Sequence, residues 1–393
     1  MSNSAPKQQL DLEDLALHEG ATVLLRRTLR QLRHGDTFEV RGDSPQLAEQ
    51  LTAWCRKEGH HCKPKQGVSG QYWIESGSVM PTVVTSRTQI SETADLAWGL
   101  APRGARIESG GPEFNFTLCQ KRDVWARELS TIYAQATANQ WSVSRDVPWN
   151  ELPRLSVEVE GAVAQIMTFL TENEFAALYV PARFIARIHP HYREVVEVLA
   201  MQVVDEARHA EAFTRRAEAG GAGLGTTAIS GQFSLKTLLE EPDFTTATFL
   251  LCVMGEGTFL TLLKFLGEHA PDPVTASLTR LAHRDEARHV AFGTEHMRYV
   301  FEREPEKRLS LVAAVERRSQ MLASISGLSP YVYDALVVYT AGGVTAAQVR
   351  KGAHLVADLQ REMDRARRER LQALGFEPAV ASEMSAYHTK NFM

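Results

Sequence analysis

Cysteine is scarce in this sequence. Four cysteines occur in 393 residues, at positions 55, 62, 119 and 252, and no two of them form a Cys-x-x-Cys pair. The segment CRKEGHHC at 55–62 fits no standard zinc spacing. Few, scattered cysteines in a chain of this length are typical of a reducing compartment. They argue against a disulfide scaffold and predict a cytoplasmic protein.

An excess of positive charge and a long apolar run are missing as well. The formal net charge is −5, which disfavours nonspecific binding to DNA or to an anionic membrane. The longest apolar runs, such as FLLCVM at 249–254, are far shorter than the ~18 residues that a bilayer span requires. The start, MSNSAPKQQLDLEDL, has no apolar segment of the kind found in secretory signals. We therefore expect a protein that binds neither DNA nor a membrane.

The hydrophobic content of 44% is enough for a full core, and 393 residues favour two domains. Residues 8–78 alternate short strand patterns and amphipathic helices in the order β-α-β-α-β-β, which predicts a small α/β domain. This order, with a Gly-Asp turn before the second strand, resembles the TusA-like sulfur-carrier fold. That family places a Cys-Pro pair at the start of its first helix, where this chain has His18 and Glu19. The resemblance therefore implies a docking, regulatory or packing module without sulfur transfer.

Residues 79–150, rich in Pro, Gly, Ser and Thr, are predicted to be a linker and an irregular lead-in. From residue 151 to the end, a helical period predicts one domain, 151–393. Its first four helices are expected over 156–188, 191–219, 234–269 and 272–303. Further helices over 307–325, 329–341 and 344–374 are expected to brace them.

One pentapeptide, DEARH, occurs at 205–209 and again at 285–289. Residues three apart share a helix face, so Glu206 points with His209 and Glu286 with His289. A single copy would be read as a solvated helix face with ion pairs. Two Glu-x-x-His motifs, with one Glu from each of two further helices, form the ligand set of ferritin-like bundles that bind two metal ions. The absence of thiolates favours iron or manganese over zinc.

The other two ligands are expected on the first and third helices. Glu256 stands alone in the apolar run from Phe249 to Leu266, where an unpaired carboxylate is costly. On the first helix Glu172 and Glu174 compete. Glu174 lies on the stripe Val163, Met167, Leu170 and Ala177, and it precedes Glu206 by 32 residues as Glu256 precedes Glu286 by 30. The predicted ligand set is Glu174, Glu206, His209, Glu256, Glu286 and His289, with Glu172 as the alternative to Glu174.

The residues around these motifs have predicted roles too. Asp205 and Asp285 are each expected to bind the His of the opposite helix, as metal-bound imidazoles usually donate their free N–H to a carboxylate. Arg208 and Arg288 are expected either to neutralise these aspartates or to be solvated. The aromatic residues near the ligands are predicted to line a cavity or to belong to the core: Phe175, Tyr179, Phe213, Phe259 and Phe292.

Over residues 150–300 the sequence resembles the ferritin-like diiron superfamily. The predicted fold is therefore mainly α, a ferritin-like four-helix bundle with extra C-terminal helices, preceded by the small α/β domain. The resemblance implies two iron ions, or a Mn/Fe pair, that react with dioxygen as co-substrate. It also implies hydroxylation, N-oxygenation or desaturation of a small or carrier-bound substrate, with an external electron donor.

Members of this superfamily differ in positions that can be checked here. Ribonucleotide reductase small subunits carry a tyrosine four residues after the first motif's His, where this chain has Phe213, with Gly293 in the second copy. Storage ferritins have a single Glu-x-x-His and no fused domain. Arylamine N-oxygenases add a His four residues before the second Glu. This chain has Ala282 there and His283 one residue later, so a seventh ligand stays open.

Other classes and partners remain open from the sequence. A ferroxidase without an organic substrate and a partner-binding protein with a structural dimetal site are the competing functions. Arg26, Arg27, Arg30 and Arg33 form a basic cluster. It suits RNA, an acidic carrier protein or a phosphopantetheine-bearing partner, but such clusters are more often solvated faces. A homodimer is among the open oligomeric states.

Overall fold

The computed structural model describes residues 8–77, 82–83, 89–107, 112–323 and 328–389. The chain divides into two compact units. The first comprises residues 1–89 and 101–112, and the second comprises 90–100 and 113–393. The architecture is mainly helical with a small N-terminal sheet, which confirms the predicted fold class.

The first unit pairs one sheet with two helices in the predicted order β-α-β-α-β-β. The elements are β1 Gln9–Asp11, α1 Ala21–Leu29, β2 Thr37–Arg41, α2 Leu47–Lys57, β3 His61–Pro64 and β4 Gln71–Glu75. The strand order is β1-β2-β4-β3, parallel between β1 and β2 and antiparallel elsewhere. Leu25 and Leu51 of the helices pack on Phe38 and Ile74 of the sheet. A short strand pair, β5 Thr82–Val83 and β6 Arg106–Ile107, completes this unit. The likeness to TusA stays a prediction.

The second unit is predominantly helical in the part that the structure describes. Its helices are α3 Lys121–Val124, α4 Leu129–Ala138, α5 Val157–Ile185, α6 Arg193–Ala219, α7 Ile229–Leu239, α8 Phe244–Thr248, α9 Gly257–Glu268, α10 Pro273–Arg303, α11 Lys307–Leu322, α12 Pro330–Ala341, α13 Ala346–Ala373 and α14 Pro378–Thr389. A π-helical segment, Phe249–Glu256, joins α8 to α9 without a break. The four bundle helices are α5, α6, the continuous helix 244–268 and α10.

The third predicted helix was expected to begin near residue 234, and the structure divides it. Residues 229–239 form α7, and a new helix begins after Asp243. Pro242 has no N–H for a helical bond, and the Asp243 side chain accepts from the Thr246 N–H, which starts the new helix. The predicted helix end at 325 lies outside the described residues.

Residues 113–150 belong to the second unit, ahead of the predicted start at 151. Here α4 packs against α6 and α10. Residues 90–100 are also part of this unit, since the Ala94 N–H donates to the Cys119 carbonyl and the Ser91 N–H to His191 Nε2. Within the predicted lead-in, buried side chains such as Val124, Leu129 and Trp141 pack residues 121–141 onto the bundle.

Helix 244–268 is long and apolar enough to cross a membrane by composition, with a mean hydropathy of 1.7 over its most apolar window. Inside the protein, 78% of that window is buried. The flanking helices α5, α10 and α13 cover it. Its hydrophobicity is therefore accounted for by its position in the core.

Candidate dimetal centre

The two DEARH copies face each other from α6 and α10 in the middle of the bundle. The Nδ1 atom of His209 lies 3.4 Å from Glu206 Oε2 and 3.4 Å from Glu286 Oε1. The Nδ1 atom of His289 lies 3.0 Å from Glu206 Oε1 and 3.5 Å from Glu286 Oε2. Each of these two glutamates thus turns one oxygen toward each histidine. Glu206 and Glu286 could therefore each be shared by two metal ions.

Glu174 and Glu256 complete the cluster from opposite sides. Glu174 Oε2 lies 3.3 Å from His209 Nδ1, and Glu256 Oε1 lies 4.0 Å from His289 Nδ1. Two overlapping groups of four residues result, and the ligand atoms of each lie within 4.8 Å of one another: Glu174, Glu206, His209 and Glu286 in one, Glu206, Glu256, Glu286 and His289 in the other. The cluster can hold two metal ions that share Glu206 and Glu286. All six predicted ligands meet here.

The two alternatives for further ligands lie elsewhere. Glu172 points to the surface side of α5, where its Oε2 accepts from Gln232. His283 is half-buried and belongs to neither group of four. Glu174 is therefore the member of the pair that α5 presents to the cluster.

The donor atoms of the cluster fit a bound cation. Among the described residues, several buried atoms of the cluster lie near one another but make no well-aligned hydrogen bond: Glu174 Oε1, both oxygens of Glu206, Glu256 Oε2, Glu286 Oε2 and His289 Nδ1. Buried polar atoms are almost always paired in proteins, so a cluster of unpaired oxygens with one imidazole nitrogen calls for metal. Carboxylate and imidazole donors suit iron and manganese.

Burial and close contacts between the ligands raise the pKa values of several of them, so these groups hold protons in the absence of metal. Burial, with the charge of Glu206, raises the pKa of Glu174 well above its usual range, and burial with the charge of Glu286 does the same for Glu256. Burial alone would lower the pKa of His209, but its hydrogen bonds to Asp285 and Glu174 raise it well above the usual value. Metal binding must therefore displace protons from the ligands.

The motif aspartates cross between helices as predicted. His209 Nε2 lies 3.1 Å from Asp285 Oδ2 and His289 Nε2 lies 3.3 Å from Asp205 Oδ2. Each Asp accepts an imidazole N–H, which fixes the ring and leaves Nδ1 for the metal. Burial alone would raise the pKa values of Asp285 and Asp205, but the hydrogen bonds from His209 and His289, with the charges of these histidines, lower them.

The motif arginines neutralise these aspartates. Arg208 donates to both Asp205 and Asp285, the latter at 3.0 Å, and Arg288 donates to Asp205 at 3.2 Å and to Asp285 at 2.6 Å. Of the two predicted roles, the structure shows charge pairing rather than solvation, since both guanidinium groups are at most one-tenth exposed.

Two contacts to this network come from the predicted lead-in and were missed. Trp141 Nε1 donates to Asp285 Oδ2 at 2.6 Å, and its ring lies 6.2 Å from that of His209. Gln140 Nε2 donates to Asp205 Oδ1 at 3.1 Å. Both follow α4 directly, and no spacing in the sequence connects them to the motifs.

Glu256 is placed by a π-helix, which was also missed. It is the last residue of the π segment, whose wider turn shifts the residues that follow it relative to a regular helix. Arg370 of α13 donates from Nε to the Val253 carbonyl at 2.9 Å. Gly257 allows this approach, because a Cβ there would lie 2.4 Å from Arg370 Nε. Gln202 Nε2 then donates to Glu256 Oε1 at 2.8 Å.

A small cavity of about 10 Å³ adjoins the cluster. Its lining consists of Asn173, Glu174, Ala177, Leu251, Glu256, Phe259 and Glu286. This volume is close to that of one water molecule. Of the predicted aromatic lining residues, Phe259 is present here, Phe213 and Phe292 are buried in the core, and Phe175 and Tyr179 lie on the surface.

No protein-family model and no curated protein matches this sequence. Solved structures that resemble it include an R2-like ligand-binding oxidase from Sulfolobus acidocaldarius, at 16% identity and a TM-score of 0.40, covering 69% of this chain and 96% of that one. Two variants of an R2-like ligand-binding oxidase with an aerobically reconstituted Mn/Fe cofactor also resemble it. One is 18% identical with a TM-score of 0.44, and the other is 16% identical with a TM-score of 0.40. They cover 66% and 67% of this chain and 94% and 92% of theirs.

Proposed function

We propose that this chain is a non-haem dimetal oxidoreductase that uses dioxygen to oxidise an organic substrate by hydroxylation, N-oxygenation or desaturation. The observation that supports it best is the pair of carboxylates, Glu206 and Glu286, that each face both His209 and His289 inside the bundle. Two Fe(II) ions, or manganese with iron, would supply the electrons for reaction with dioxygen. The proposal includes a small or carrier-bound substrate, an external electron donor and a cytoplasmic location.

The chain's own residues have separate tasks in this proposal. Glu174 and His209 would hold one ion and Glu256 and His289 the other, with Glu206 and Glu286 between them. Asp285 and Asp205 hold the Nε2 protons of His209 and His289 and so keep each Nδ1 aimed at the cluster. Ala177, Leu251 and Phe259 form apolar walls of the small cavity beside the cluster, which limits the access of water to it.

One observation favours a second function. The cavity beside the cluster, about 10 Å³, is too small for an organic molecule without movement of its walls. A ferroxidase, which oxidises iron with dioxygen and needs no organic substrate, is compatible with so small a cavity.

The test is oxygen uptake by protein loaded anaerobically with Fe(II), with iron oxidation followed in parallel. The main proposal predicts uptake that stops after the loaded iron has reacted once and resumes when a reductant and substrate are supplied. Uptake that continues with each further addition of Fe(II) alone would favour the ferroxidase.

Glu286→Ala is the variant that tests the assignment of the site. It should lose metal binding and oxygen uptake together, whereas Glu218→Ala, an exposed glutamate of the same bundle, should keep both. A fully active Glu286→Ala protein would refute the proposal.

A further inference from the structure

An apolar groove runs along the surface between α5 and α7. Its volume is about 850 Å³, within the range of pockets that bind small molecules. Four large side chains in its lining are strongly exposed: Phe175 at 49%, Tyr179 at 57%, Ile229 at 72% and Phe233 at 48%. Clustered apolar exposure of this kind marks a binding surface rather than chance.

Two unpaired polar atoms lie at one end of the groove. Glu172 lines both the groove and an adjoining pocket of about 20 Å³, which Ser329 also lines. Among the described residues, Glu172 Oε1 and Ser329 Oγ are buried and have no hydrogen-bond partner, and Ser329 is only 7% exposed. Such atoms need a partner, and the groove can supply one in the form of a bound ligand.

The charges in the groove select the type of ligand. Lys236 pairs with Glu240 four residues on, so the two largely cancel. Glu172 is the carboxyl group left over in the lining, and its hydrogen-bonding neighbours there, Gln232 and Thr227, are both uncharged. A cationic group could donate hydrogen bonds to Glu172 Oε1 and to Ser329 Oγ. An anionic group would be repelled by the Glu172 carboxylate.

The same end of the groove lies close to the dimetal cluster. Phe169 lines the pocket that contains Glu172, and its ring stacks on Phe259 with centroids 6.0 Å apart. Phe259 in turn lines the small cavity with Glu174, Glu256 and Glu286. Two aromatic rings thus separate the polar end of the groove from the cluster.

We propose that this groove binds an amphiphilic amine, with its apolar chain along Phe175, Tyr179 and Phe233 and its ammonium group at Glu172 and Ser329. Binding itself needs no metal. Use of the amine as a substrate would rest on the proposed function.

The experiment is calorimetric titration of the full-length, metal-free protein with decylamine and with decanoate, both below their micelle concentrations. The two probes share a ten-carbon chain length and differ in the charge of the head group. Decylamine should bind once per chain and at least tenfold more tightly than decanoate.

Variants test the polar end of the groove and its apolar wall separately. Glu172→Gln should remove most of the preference for decylamine, and Glu218→Gln, an exposed glutamate outside the groove, should not. Phe233→Ala should weaken both probes about tenfold, since one wall of the groove is lost. Leu309→Ala, which is 74% exposed on α11, is the matched control and should leave both unchanged.

Three results would overturn the proposal: no binding of decylamine, equal binding of decanoate, or a homodimer that Phe233→Ala dissociates, since the groove would then bind a second copy of the chain. Failure of the proposed function looks different. Decylamine binding without oxygen uptake by the Fe(II)-loaded protein would refute the oxidoreductase and leave the groove in place. Oxygen uptake without decylamine binding would refute the groove alone.

Discussion

The two DEARH copies are identical in sequence, yet the two halves of the cluster that they build are not. In the first half, His209 faces Glu174, which sits in the regular helix α5. In the second, His289 faces Glu256, which ends a π-helical segment and is held by Gln202. Trp141 binds Asp285, while Gln140 binds Asp205. The features that the two halves have in common are formed by the repeated DEARH residues. The features that differ are formed by residues of the surrounding helices.

This comparison shows which parts of the site are locally determined. Glu and His three apart on a helix meet without help from the rest of the chain, so the motif fixes its own geometry. The partner carboxylate depends on the path of another helix. On the Glu256 side that path is altered by the π segment and stabilised by Arg370, over one hundred positions away.

The largest predicted effect comes from removing a ligand that both halves of the cluster share. Glu206→Ala and Glu286→Ala should each abolish binding of both metal ions, because these two residues belong to both groups of four. Glu174→Ala and Glu256→Ala should each lose one ion and keep the other. Metal content by mass spectrometry after loading with Fe(II) or Mn(II) measures this. Equal loss in all four variants would contradict the division into halves.

The single-ion variants make the next comparison possible. Glu256→Ala reports on the half with His209, and Glu174→Ala reports on the half with His289. Asp285→Asn should weaken the His209 half about 10- to 100-fold, since it removes the carboxylate that accepts the Nε2 proton. Asp205→Asn should do the same to the other half. Asp358→Asn, exposed on α13, is the control, and an effect of Asp285→Asn on the His289 half alone would refute the crossed pairing.

Lowering the pH should weaken metal binding in both halves of the cluster. The raised pKa values of Glu174, Glu256, His209 and His289 mean that these groups hold protons that a metal ion must displace. Affinity should therefore fall as the pH is lowered, about tenfold per pH unit for each proton displaced. Calorimetry in two buffers of different ionisation enthalpy gives the proton count. Metal binding without proton release would contradict this account.

The smallest predicted effect is on metal affinity in the half of the cluster that contains His289 and Glu256. Arg370→Gln removes the donor to the Val253 carbonyl and loosens the π segment before Glu256. We expect a several-fold loss of metal affinity when it is tested in the Glu174→Ala background and little change in the Glu256→Ala background. Arg365→Gln, an exposed arginine on the same helix, serves as control. An equal loss in both backgrounds would mean that Arg370 stabilises the whole bundle instead.

Much of the fold and the candidate site could be read from local patterns. The periodic stripe on α5 distinguished Glu174 from Glu172, and the lone charge of Glu256 in an apolar run predicted its burial. The order of the small α/β unit followed from alternation and turn residues. These features repeat over a few residues and need no knowledge of distant contacts.

The features that were missed depend on distant contacts. The π segment looks like any apolar helix in sequence, and its stabilising partner Arg370 lies on α13. Trp141 and Gln140 reach the motif aspartates only because α4 packs beside α6 and α10. The break before α8 was marked locally by Pro242 and Asp243, but the apolar period on both sides concealed it.

The most direct test of the central claim is a crystal structure of the protein loaded with Mn(II) and Fe(II), with anomalous scattering recorded at both metal edges. The account predicts two peaks in the bundle, one beside His209 and Glu174 and one beside His289 and Glu256, with Glu206 and Glu286 between them. A single peak, or none within reach of these six side chains, would contradict it.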